Sequence, residues 1–161
     1  MMPSHRSLSL LSLLLAAAFI GSHANADAPP QRYELRGDVA YDTRTKLSWQ
    51  RATAAQVYSS LAAAQAYCSS LDLDGTGFRV PTLRELATIV DTGRTYPAID
   101  TNTFPNTSSQ IYWSSTAIQD PNEPQYPPTY WGIFFDFGST RIVVHTPDEV
   151  PVQGEHVRCV R

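Results

Sequence analysis

The sequence predicts an α+β domain in which two helices pack on a twisted antiparallel sheet with long loops. Three observations carry this. Two apolar stripes at helical spacing lie in the first half of the chain. Alternating aromatic residues flank a tight turn in the second half. No internal repeat is present. Helices and strands are therefore segregated along the chain rather than alternating, which argues against a parallel sheet.

Tyr33 to Ala40 is expected to form the first strand. Val39 to Tyr41 and Leu47 to Trp49 flank Asp42-Thr43-Arg44-Thr45, whose short polar side chains can bond the backbone locally in a hairpin turn. Ser60 to Leu71 reads as a helix, with Leu61, Ala64, Cys68 and Leu71 on one face. Thr82-Leu83-Arg84-Glu85 is a capping box that opens a second helix. Its stripe is Leu83, Leu86, Ala87 and Val90, and Gly93 is the expected left-handed cap. Arg79, Pro81, Thr82 and Glu85 are accordingly assigned to the scaffold. Thr95 to Gln110 lacks any period and reads as an ordered loop anchored by Ile99 and Phe104. Ile111 to Thr116 is a short strand. Tyr130 to Phe137 follows, with Trp131, Ile133, Phe135 and Phe137 on one face. Gly138-Ser139 turns it into a strand from Arg141 to His145, and His156 to Arg161 is the last strand.

The first segment has a different purpose. Arg6 precedes an apolar run from Leu8 to Ile20, and Ala24-Asn25-Ala26 is an A-x-A cleavage site. Residues 1–26 read as a signal peptide, since the run is shorter than the roughly 20 residues a membrane span needs. Cleavage of 26 residues from 161 leaves 135, and loss of Arg6 shifts the net charge from −3 to −4. The expected location is secreted or periplasmic, with no membrane span remaining. An acidic chain whose one lysine is Lys46 is excluded from a general electrostatic grip on nucleic acid. Export also places Cys68 and Cys159 in an oxidising compartment, where an even pair usually joins. The alternative is two buried free thiols.

Several stretches together carry a family resemblance. They are Asp42-Thr43-Arg44-Thr45-Lys46-Leu47-Ser48-Trp49-Gln50, Ala66-Tyr67-Cys68, and Phe78-Arg79-Val80-Pro81-Thr82-Leu83-Arg84-Glu85-Leu86. Pro97-Ala98-Ile99-Asp100, Phe104-Pro105-Asn106, Tyr112-Trp113-Ser114-Ser115-Thr116 and Val157-Arg158-Cys159-Val160-Arg161 follow in order. This ordered set resembles the Lcl C-terminal domain-like family of bacteria over about residues 38–161. Residues 27–37 are then a short lead-in and first strand. Lys46 stands where that family usually has Gly, and Phe78 where it usually has Trp. The resemblance implies a C-type lectin-like fold, a disulfide from the first helix to the final strand, and structural roles for Trp49 and Trp113. The family's namesake is the terminal domain of a collagen-like adhesin that binds sulfated glycosaminoglycans. This chain has neither the collagen-like repeat nor a basic surface to match.

The expected function is a non-enzymatic binding or adhesion module for a carbohydrate or an envelope protein. Gln119 to Pro128 holds four prolines in ten residues, so its backbone loses little entropy on ordering. The expected ligand contacts are Asp120, Asn122, Glu123 and Tyr126 in that segment, with Tyr112 and Tyr130 beside it. No cofactor is expected. Calcium is the alternative, because Glu123-Pro124-Gln125 is similar to the Glu-Pro-Asn signature of C-type lectins, although the Trp-Asn-Asp partner is missing. Asp72-Leu73-Asp74-Gly75 lacks the distal Glu of a calcium loop, since Leu83 stands at its twelfth position. Two other functions were weighed. One is a catalytic domain related to formylglycine-generating enzymes, which needs an active cysteine pair. The other is a scaffold subunit of a secreted assembly.

Overall fold

The computed structural model describes residues 31–119, 122, 128–143 and 154–161. The signal segment, Asp120, Glu123, Tyr126 and His145 lie outside the described residues. Two helices and six strands are present among the described residues, and the fold is α+β. The strands divide between two three-stranded antiparallel sheets, where one sheet was expected.

The first sheet contains β1 (Tyr33–Arg36), β2 (Val39–Asp42) and β3 (Ser48–Gln50), paired in that order. The predicted strand from Tyr33 to Ala40 is split because Gly37 turns the chain at φ +57°. The Asp42 turn forms as expected. Its carboxylate accepts the Arg44 and Thr45 amides and pairs with Arg32 at 2.8 Å.

The first helix, α1 (Leu61–Ser70), starts at Ser60, whose hydroxyl accepts the Ala63 N–H. Leu61, Ala64 and Cys68 are its buried residues, as the stripe predicts. The second helix, α2 (Leu83–Ala87), has the full capping box between Thr82 and Glu85. It is shorter than its stripe. From Thr88 to Val90 each amide bonds three residues back, so the last turn tightens and the helix stops. The left-handed cap expected at Gly93 is absent. Thr88 caps in the right-handed region, and the Gly93 amide donates to the Asp91 carboxylate.

The second sheet contains β4 (Ile111–Ile118), β5 (Thr129–Phe134) and β6 (Ser139–Val143) in sequence order. Strand β5 ends before Phe137, so Phe137 leaves the core face assigned to it and is 55% exposed. Gly138 completes the turn at φ +72°, and a Cβ there would lie 2.3 Å from the Val90 side chain.

The apolar interior forms two clusters. One gathers Tyr58, Leu61, Ala64, Cys68, Phe78, Trp113 and Val157 around α1. The other gathers Trp49, Leu86, Ile99, Phe104, Tyr112, Ile133 and Val160 beside α2. Residues 154–161 run between them as single bridges rather than as a strand: Glu155 to Tyr58, His156 to Tyr112, and Val160 to both Trp49 and Arg79. The Cys68–Cys159 disulfide fastens this segment to α1, and no cysteine is free. Closing a loop of 91 residues stabilises by about 2–4 kcal/mol.

Candidate functional site

Where residues 154–156 meet the start of β4, Val57, Gln110, Ile111, Gly154, Glu155 and His156 line a cleft of about 430 Å³. Backbone bonds fix its floor. Glu155 exchanges both N–H···O bonds with Tyr58, His156 donates to the Ile111 carbonyl, and the His156 carbonyl accepts the Trp113 amide. Gly154 is required here because a Cβ would lie 2.5 Å from the Tyr58 carbonyl carbon.

The His156 ring stacks on Tyr112 with centroids 5.2 Å apart, and its Nδ1 is buried without a partner among the described residues. Burial lowers the His156 pKa and raises that of Glu155. The cleft therefore favours a neutral imidazole and lets the carboxyl keep its proton to higher pH than usual. With the Gln110 amide, it offers hydrogen-bonding groups beside the apolar Val57 and Ile111. Nothing in the local sequence pattern marks Val57, Gln110 or Glu155, because they converge only through the bridges of residues 154–161.

Of the expected ligand contacts, Tyr112, Asn122 and Tyr130 are among the described residues. Asn122 is exposed, and Tyr130 is half-buried with its ring edge-on to Trp113. Tyr112 must be removed from the ligand surface. It is fully buried, shares a 2.9 Å hydrogen bond with the Thr53 hydroxyl and accepts the Ser108 amide. Its ring supports His156 from behind. Trp49 and Trp113 are also fully buried, and the Trp113 indole donates to the Tyr58 carbonyl. Arg79 grips Glu85 through two bonds of 2.8 and 2.6 Å and, with the Thr82 amide, brings the Glu85 pKa down to about 2. The Pro81 carbonyl accepts the Ser115 amide, so this group ties α2 to β4.

Sequence reasoning did not single out Arg158, which is entirely buried. It donates to the carbonyls of Gln50 and Arg51 and to the hydroxyls of Thr53 and Thr107. Its guanidinium lies 4.9 Å from the Phe104 ring centre. Burial lowers its pKa to about 10. No group of three or more metal-ligating side chains occurs among the described residues, and no described helix is long and apolar enough to cross a membrane.

The Lcl C-terminal domain family matches residues 38–161, which is most of the sequence. The chain belongs to this family. No curated protein and no solved structure matches it. Lys46, where the family resemblance implies glycine, stands at a backbone position that suits glycine. Lys46 has φ +64°, in the left-handed region that glycine enters without strain. Phe78, where the resemblance implies tryptophan, is buried in the cluster around α1.

Proposed function

We propose that this domain is a secreted, non-enzymatic binding module that recognises a glycan or another envelope component on a C-type lectin-like scaffold. The observation that carries the reading is the cleft at Glu155 and His156. It sets the Glu155 carboxyl, the His156 imidazole and the Gln110 amide beside the exposed aliphatic side chain of Val57. That combination suits a ligand with hydroxyl edges and apolar C–H faces. The disulfide supports the same reading, since it occupies both cysteines that a formylglycine-type reaction would need.

The test is a glycan array probed with the oxidised protein, with and without calcium, followed by titration of any hit. Glu155→Gln and His156→Ala should each weaken binding about tenfold, on the order of 1.4 kcal/mol. An empty array would overturn glycan recognition. Unchanged affinity in both variants would move the site away from the cleft. The set Asp120, Asn122, Glu123 and Tyr126 would then be substituted next.

A further inference from the structure

A second feature lies at the same end of the β4–β6 sheet as the cleft. Tyr96 and Phe137 are 64% and 55% exposed, and their rings meet edge to face with centroids 4.8 Å apart. Large aromatic side chains normally bury most of their surface. Tyr96 also adopts φ +52°, in the left-handed region that a residue with a side chain rarely enters. The surrounding backbone holds it there. The Tyr96 amide donates to the Asp136 carbonyl at 2.8 Å, and the Ala98 amide to the Phe135 carbonyl at 2.7 Å. Gly138, packed against Val90, holds the other ring's turn. Both rings are thus presented to solvent by fixed backbone.

The pair is coupled to the cleft through one stretch of chain. The Phe135 amide donates to the carbonyl of Gln110, a cleft residue, and Ile111 pairs with Phe134. Ile118 and Thr129 pair at the opposite end of these strands. On the loop that carries Tyr96, Asp91 and Arg94 form an ion pair at 3.1 Å.

We infer that Tyr96 and Phe137 form a sugar-stacking platform that extends the cleft, so that the ligand is an oligosaccharide rather than a single sugar. This rests on the glycan-binding reading above. Two exposed rings offer on the order of 200 Å². That is far below the roughly 800 Å² a stable protein partner covers on each side. The exposed face of one ring, buttressed by the edge of the other at 69°, matches the flat apolar face of one pyranose ring. Pyranoses with equatorial hydroxyls and β linkages expose such faces repeatedly, with hydroxyls at the rim for groups such as Asp91 and Arg94.

The test compares glucose with cellotetraose, and N-acetylglucosamine with chitotetraose, on the full oxidised chain. Tyr96→Asn is the first variant, because asparagine tolerates the left-handed region, and Phe137→Ser is the second. Melting temperature checks that both fold. The unmodified protein should bind at least one tetrasaccharide about tenfold more tightly than its monosaccharide. Each variant should lose that advantage while keeping monosaccharide affinity. Tetrasaccharide binding that tolerates both substitutions but falls with Glu155→Gln overturns the platform and leaves the cleft standing. Failure of the unmodified protein to bind either tetrasaccharide also overturns the platform. The broader reading falls only if the full array is empty as well.

Discussion

Thr107→Val should destabilise the domain by about 2–4 kcal/mol, and most of that cost should vanish when Arg158 is also replaced. Thr107 is nearly buried and accepts from the Arg158 guanidinium at 2.7 Å while donating to the Phe104 carbonyl at 2.8 Å. A hydrogen bond to a charged group contributes about 1.5–3 kcal/mol, and the orphaned carbonyl adds about 1 kcal/mol more. Valine keeps the shape, so no cavity forms. Among the described residues, Arg158 has no carboxylate partner, and its burial is offset by carbonyls and hydroxyls alone. Removing one acceptor leaves the cation poorly solvated where water cannot reach. In an Arg158→Met background that charge is gone, and Thr107→Val should cost under about 1 kcal/mol. The double-mutant cycle should therefore give a coupling of about 1.5–3 kcal/mol. Urea unfolding of the oxidised protein is the assay. With a slope of about 1–3 kcal/mol per molar, the single variant should lower the midpoint by about 1 M or more. Equal costs in the two backgrounds would refute the idea that Thr107 solvates Arg158.

Two other outcomes are expected. Lys46→Gly should raise stability by up to about 1 kcal/mol, read as a higher urea midpoint, because it relieves the left-handed strain at φ +64°; a lower midpoint would count against strain at this turn. Glu85, whose pKa is held down to about 2 chiefly by Arg79, contributes stability fully above its ordinary value of 4.5. That contribution disappears as pH falls toward 2, so Glu85→Gln should flatten this part of the acid-unfolding curve.

Local chemistry was legible where it decides the structure on its own. The capping box set the start of α2, the apolar stripe set the buried face of α1, and the two cysteines joined as their even number suggests. Ile99 and Phe104 anchor their loop from full burial. Tertiary context decided the rest. Alternation along Val157, Arg158, Cys159 and Val160 predicts one buried face, yet all four are buried because the segment runs between two clusters. A period of two cannot distinguish that arrangement from a half-exposed strand. Tyr112 was placed on the ligand surface for its aromatic character and its neighbourhood in sequence. Its hydroxyl instead meets partners at Thr53 and Ser108. The cleft was illegible because Val57, Gln110 and Glu155 lie far apart in sequence, and only the bridges of residues 154–161 bring them together.

Those bridges also impose an order of events. A chain synthesised from its N-terminus completes residues 39–143 before residues 154–161 emerge. Until then Trp49, Arg79 and Tyr58 lack their bridges to that segment, and Cys68 has no cysteine with which to pair. Helix α1 and the early hairpin can form locally, but the two clusters cannot close on each other. Contacts of such long sequence separation slow folding. The step that locks the core therefore waits for residues 154–161.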